Sequence, residues 1–167
     1  MSIAVSRSSI TVCKRALGSL AAILDKAETH ATAKKIDPAA LLSARLFPDM
    51  FALARQVQAA TDQARNIGRL AGVEPPKMDN TETSFAELKA RIEKSVAFLD
   101  SLDVAKVDAS ADQTISFPMG PQTMQMSGPD YLLGLVMPNF YFHLTTAYNL
   151  LRHNGVEIGK RDFLGMR

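Results

Sequence analysis

The chain has 167 residues, with 19 Lys and Arg against 17 Asp and Glu and a formal net charge of +2, enough length for one domain with a sizeable core and no staples. Hydrophobic residues make up 47% and charged residues 22%, the balance of an ordinary globular protein. Lys and Arg are scattered rather than blocked, which argues against nucleic acid as a partner, and no run reaches the ~18–20 apolar residues of a membrane span.

The first residues, Met1-Ser-Ile-Ala-Val-Ser-Arg-Ser-Ser, lack a basic region followed by an unbroken apolar core. No signal peptide is expected, and the reducing cytoplasm is the expected compartment. From about Val5 to Lys35, Ile10, Leu17, Leu20, Leu24 and Ala27 recur at helical spacing, and Cys13 and Ala21 fill the same stripe. As the lone cysteine, Cys13 excludes an internal disulfide and a multi-cysteine metal cluster, and its apolar setting predicts a core residue. Asp37-Pro38 predicts a new start, with Asp37 as N-cap and Pro38 at the first helical position, and Phe47-Pro48 ends that short helix.

A second long helix is expected over about 50–71. Leu53, Val57, Thr61, Ala64 and Gly68 form its inward stripe, with Gln56 and Gln58 to either side. Gly72 is a fitting stop, and the run from Glu74 to Asn80 reads as a surface loop. Ser84-Phe-Ala-Glu87 has capping-box spacing, and Phe85, Leu88, Ile92, Val96 and Leu99 carry a third long helix to about Leu102. Then the period changes. Thr114-Ile-Ser-Phe117 and Gln122-Thr-Met-Gln-Met126 alternate polar with apolar about Pro118-Met-Gly-Pro121, which predicts a small β-hairpin within about 112–127. The tail from Val156 to Arg167 is too apolar for a free end and is expected to pack back on the protein.

The fourth long helix, from about Pro129 to Gly155, carries the best candidate site. Pro138 lies in its middle, where it removes a backbone bond to the Gly134 carbonyl and predicts a bend. Asn139 and His143 follow at i,i+4 spacing, on one face with or near Leu132, Val136, Thr146 and Leu150, so both are expected to point inward. Asn139 either satisfies carbonyls freed by the proline or contacts a ligand. His143 is either a satisfied core residue or, if the protein is catalytic, its general base, because imidazole titrates near neutrality. Tyr141 and Tyr148 fall off that face and suit a helix–helix or subunit contact. His153 suits the helix C-terminus, Arg152 and Arg161 suit a solvated surface, with Asp162 or an anion as the alternative partner, and His30 is expected to be exposed. There is no P-loop, dinucleotide-binding glycine fingerprint or nucleophile elbow.

Several segments together carry a family resemblance: Ile36-Asp-Pro, Ala44-Arg-Leu-Phe-Pro-Asp-Met50, Ala54-Arg-Gln-Val-Gln58, Pro138-Asn-Phe-Tyr-Phe-His143, Leu151-Arg-His-Asn-Gly155 and Lys160-Arg-Asp-Phe-Leu-Gly165. The chain resembles an uncharacterised bacterial family close to the DinB/YfiT-like helical bundles. The resemblance implies a mainly α, DinB-like four-helix bundle, here with a short extra helix and a hairpin inserted before the last long helix, and it implies a homodimer. In the wider superfamily a divalent metal is commonly held by three histidines, one on the second helix and two spaced His-x-x-x-His on the last. Here the first of that pair is Asn139, and the second helix offers only Gln56 or Gln58. Amides are weak ligands for zinc, so no native metal centre is expected.

The reading is therefore one domain over residues 1–167 whose Gln56, Gln58, Asn139 and His143 line a pocket for a small polar ligand between the second and last long helices. Two alternatives stand beside it. One is a DinB-like thiol-linked transferase using zinc or nickel with His143 as a surviving ligand. The other is a non-catalytic dimerising protein.

Overall fold

The structure, a computed structural model, describes residues 3–166. It is mainly helical, with four long helices and one small antiparallel hairpin. α1 (Val12–Lys34) continues a π-helical turn, Arg7–Thr11. It buries Cys13, Leu17, Leu20, Leu24, Ala27 and Ala31 along one stripe and ends at Lys35 in a left-handed conformation, φ 56°. α2 (Pro38–Leu42) starts as its sequence dictates, with the Asp37 carboxylate accepting from the Ala39 amide.

α3 (Leu53–Arg65) begins three residues later than its periodicity suggests and tightens into a 3₁₀ turn, Asn66–Ala71, before the left-handed Gly72. A Cβ on Gly68 would stand 2.8 Å from both the Phe98 ring and the Val73 carbonyl, so this glycine permits the close approach of the next helix. That helix, α4 (Phe85–Asp100), opens on the Ser84–Glu87 capping box with both reciprocal bonds in place.

α5 (Val104–Ala109) escaped the sequence reading, although Asp103 caps it by accepting from the amides of Ala105 and Lys106. At six residues it is too short for periodicity to reveal. The hairpin β1 (Thr114–Met119) and β2 (Gln122–Ser127) pairs Ile115 with Met126 and Phe117 with Met124. It does not stand alone. Ile115 and Phe117 are buried against the helices, and the Phe117 ring lies 4.9 Å from that of Tyr131.

The last long helix is built in three pieces: α6 (Gly128–Asp130), a π-helical stretch Tyr131–Val136, and α7 (Met137–His153). The widened turn ends just ahead of Pro138, so the missing proline N–H falls where the regular ladder restarts. α3 and α7 make the most extensive helix pair, and Val57, Ala60 and Ala64 of α3 share one buried core with Phe140, Leu144 and Ala147 of α7. Val156 and Ile158 of the tail are buried, and α8 (Lys160–Phe163) sets Phe163 edge-on to Tyr148. Asp162 pairs with Lys26 rather than with Arg152 or Arg161. Arg15 then donates to the Leu164 carbonyl, so the tail is fastened across α1. No described helix is long and apolar enough to cross a membrane.

Candidate functional site

The two glutamines on α3 point to different places. Gln56 is buried and its Oε1 lies 2.7 Å from His143 Nδ1 on α7. Gln58, also buried, donates to Glu82 on the opposite side of α3. Asn139, half-buried, donates its amide to the Leu135 carbonyl at 2.9 Å, a bond within its own helix. Of the four candidates, Gln56 and His143 are thus brought together. Asn139 sits one turn before His143 with its Oδ1 uncommitted among the described residues, and Gln58 belongs to another cluster.

The tautomer of His143 follows from a third group. Gln56 donates its Nε2 to the backbone carbonyl of Phe51 at 3.1 Å, and a carbonyl can only accept. The amide oxygen therefore faces the imidazole, and Nδ1 must carry the proton it donates to it. Nε2 is left with a bare lone pair. Among the described residues it has no hydrogen-bond partner, and it is not sealed from solvent. Burial, and then the positive charge of Arg55, hold the His143 pKa below its ordinary value, with Asp62 opposing weakly. Neutral imidazole is the form present at neutral pH.

Aromatic rings flank this imidazole. Phe51 stacks on the imidazole with centroids 6.1 Å apart and planes 15° from parallel, and Phe142 meets it edge-on at 5.3 Å. Both phenylalanines are exposed, at 45% and 56%, an unusual position for two large rings flanking a polar group. The Arg55 guanidinium lies 5.1 Å from the Phe51 centroid, on the range of a cation–π contact.

On its other side α3 meets a cluster that the sequence reading missed. Arg91 of α4 is almost wholly buried. It donates to Thr61 Oγ1 at 2.8 Å, to the Asp79 carbonyl and Glu82 at 2.9 Å each, and to Asp62 at 2.5 Å. Arg65 reaches the same Asp62 carboxylate and the Pro76 carbonyl. Burial alone would raise the Glu82 pKa, but the hydrogen bond and charge of Arg91 outweigh it and hold the carboxyl below the usual range. One signal for this cluster was legible: Arg91 falls three residues after Leu88 and four before Ser95, on the apolar stripe of α4.

Other expectations resolve on local grounds. Cys13 is fully buried and its thiol pKa is raised to about 12 by burial, so it is no nucleophile. His30 is half-buried rather than exposed, and a Cβ added at Gly155 would stand 3.7 Å from its ring. His153 does lie in the last turn of α7, where the Asn154 side chain caps the Leu150 carbonyl.

The donors around His143 do not suit the three-histidine metal site that the family resemblance implies. Gln56 Oε1 is committed to His143 Nδ1, which leaves one imidazole nitrogen, His143 Nε2, and one weakly ligating amide oxygen, that of Asn139, in place of three imidazoles. The described residues hold no group of three or more His, Cys, Asp or Glu placed to bind a metal.

A sequence profile of the domain of unknown function DUF1993 matches residues 6–164. The chain belongs to this family. Among solved structures, this DUF1993 domain is similar to a DinB family member protein from Shewanella denitrificans, with 41% identity and a TM-score of 0.89. The match covers 96% of this chain and 91% of that one. The DUF1993 chain is thereby placed among DinB-like helical bundles, an uncharacterised family with the fold its sequence predicted. No curated protein matches it.

Proposed function

We propose that this DUF1993 protein binds a small polar molecule at the α3–α7 face, with His143 Nε2 accepting a hydrogen bond from it. The observation that carries the reading is the fixed tautomer. The Phe51 carbonyl orients Gln56, Gln56 orients His143, and a neutral imidazole presents an unprotonated nitrogen between two exposed rings. Gln56 acts as a positioning residue, and the free Oδ1 of Asn139 is a second polar contact one turn away. Any acid–base chemistry at this face falls to His143, which has the right form at neutral pH to take a proton.

The protein is also proposed to act as a cytoplasmic homodimer. Tyr141, the exposed aromatic side chain of α7 that is not used at the His143 face, supports pairing with a second copy. Sedimentation at micromolar concentration checks it, and a monomer there would remove the dimer from the account.

A thermal-shift screen of small polar molecules tests the binding reading. At least one class should raise the melting temperature in a concentration-dependent way, and His143→Ala should abolish the rise. A screen whose hits act equally on His143→Ala would contradict the reading.

A further inference from the structure

The arginines around α3 differ in how far their donors are used. Arg91 makes four hydrogen bonds, and Arg69 bonds Glu74, Asn66 and the Tyr131 hydroxyl. Arg65 reaches Asp62 and a backbone carbonyl. Arg55 donates no hydrogen bond among the described residues. Among the described residues its one charged contact is Asp62 Oδ2 at 3.5 Å, and the other oxygen of that carboxylate already serves Arg65 and Arg91.

Three guanidinium groups, Arg55, Arg65 and Arg91, therefore surround two carboxylates, Asp62 and Glu82, and the excess positive charge lies at the open end. Arg55 Nη1 is buried beside Asp62 Oδ2 but forms no hydrogen bond among the described residues, so part of its donor capacity is unmet by the chain. The rest of the fork faces solvent. It is nevertheless held in place, because it rests over the Phe51 ring, whose other neighbour is the His143 imidazole.

A pre-placed guanidinium with open donors is matched to a planar oxyanion, which it takes in paired, charge-assisted bonds. The adjoining exposed rings call for an apolar, flat body beside that anion. We infer that the ligand of the α3–α7 face is an oxyanion-bearing planar molecule, an aromatic carboxylate in its simplest form, anchored by Arg55 and lying along Phe51 towards His143 Nε2. This rests on the reading that the face binds small molecules, and it names their class. An anion seated there also opposes the effect of Arg55 on His143 and raises the imidazole pKa.

The test is an NMR titration of the full-length, ¹⁵N-labelled protein with benzoate, benzamide and inorganic phosphate, reading Arg55 Nε–H and the His143 ring. Benzoate should shift both signals saturably and raise the His143 pKa. Neutral benzamide and phosphate, which lacks the flat body, should each bind at least about tenfold more weakly. Arg55→Gln should erase the preference for benzoate over benzamide, and Arg55→Lys should restore part of it, with far-UV circular dichroism verifying that both variants fold. Equal binding of benzoate and benzamide, equal binding of phosphate, an unchanged benzoate affinity in Arg55→Gln, or no saturable shift by benzoate would each overturn the inference. The broader small-molecule reading fails separately, if benzamide and the cation benzylamine also leave His143 unmoved.

Discussion

On the side of α3 that meets α4, Arg65, Arg91, Asp62, Glu82, Gln58 and Thr61 bond one another and the loop carbonyls above them, and among the described residues Arg65 Nε is the one fully buried side-chain atom of this group without a hydrogen-bond partner. On the side that meets α7, Gln56 and His143 also bond, but His143 Nε2 and most of Arg55 remain open between exposed rings. The two sides use the same kinds of residue to opposite ends. A polar network closed on itself rigidifies a packing interface, whereas oriented groups with free valence are what a ligand needs. The contrast also explains why a buried, highly charged cluster is not by itself a binding site.

The comparison breaks most readily at Arg91. Arg91→Ala leaves Asp62, Glu82 and Thr61 without their shared donor, and should lower stability by about 3–5 kcal/mol in urea unfolding. A loss below about 1 kcal/mol would mean that the closed network is not what holds α3 to α4. The α7 side should be milder. Gln56→Leu removes the acceptor of His143 Nδ1 and the donor to Phe51, and a cost of about 1–2 kcal/mol is expected. A cost equal to that of Arg91→Ala would erase the distinction between the two sides.

The smallest effect sharpens the contrast through pH. His143 has a folded-state pKa below its unfolded value. The unfolded chain therefore binds a proton first, and stability falls as pH drops through about 6.5, levelling below the folded value. Glu82 acts in the same direction at lower pH: its folded pKa is depressed, so its contribution is present above about 4.3 and is lost as pH falls through the folded value. Melting curves from pH 7.5 to 3 should thus show two windows. His143→Gln should flatten the upper one alone and Glu82→Gln the lower one alone. If His143→Gln leaves the slope near pH 6 unchanged, the imidazole is not held neutral by its surroundings.

The long periodic segments carried most of the fold in their spacing. The stripes of α1 and α4, the caps at Asp37 and Ser84, and the alternation about Pro118 and Gly120 each predict an element that is present. What spacing could not give was α5, too short for a period, and the π-helical turns, in which the backbone widens without any change of residue pattern. At the candidate site, sequence singled out His143 and its neighbours but left Gln56 and Gln58 undecided. They are two residues apart, about 200° around a helix, so only tertiary packing assigns one to α7 and the other to Glu82. The Arg91 network depends on carboxylates 9 and 29 residues away in the chain, a separation that no local pattern encodes.

The central claim is that His143 offers a neutral, unprotonated Nε2 at an open face. Long-range ¹H–¹⁵N correlation of its imidazole at pH 7 tests this most directly. The account predicts the Nδ1–H tautomer, reverting towards Nε2–H in Gln56→Leu. An Nε2–H tautomer or an imidazolium in the unmodified protein would contradict it.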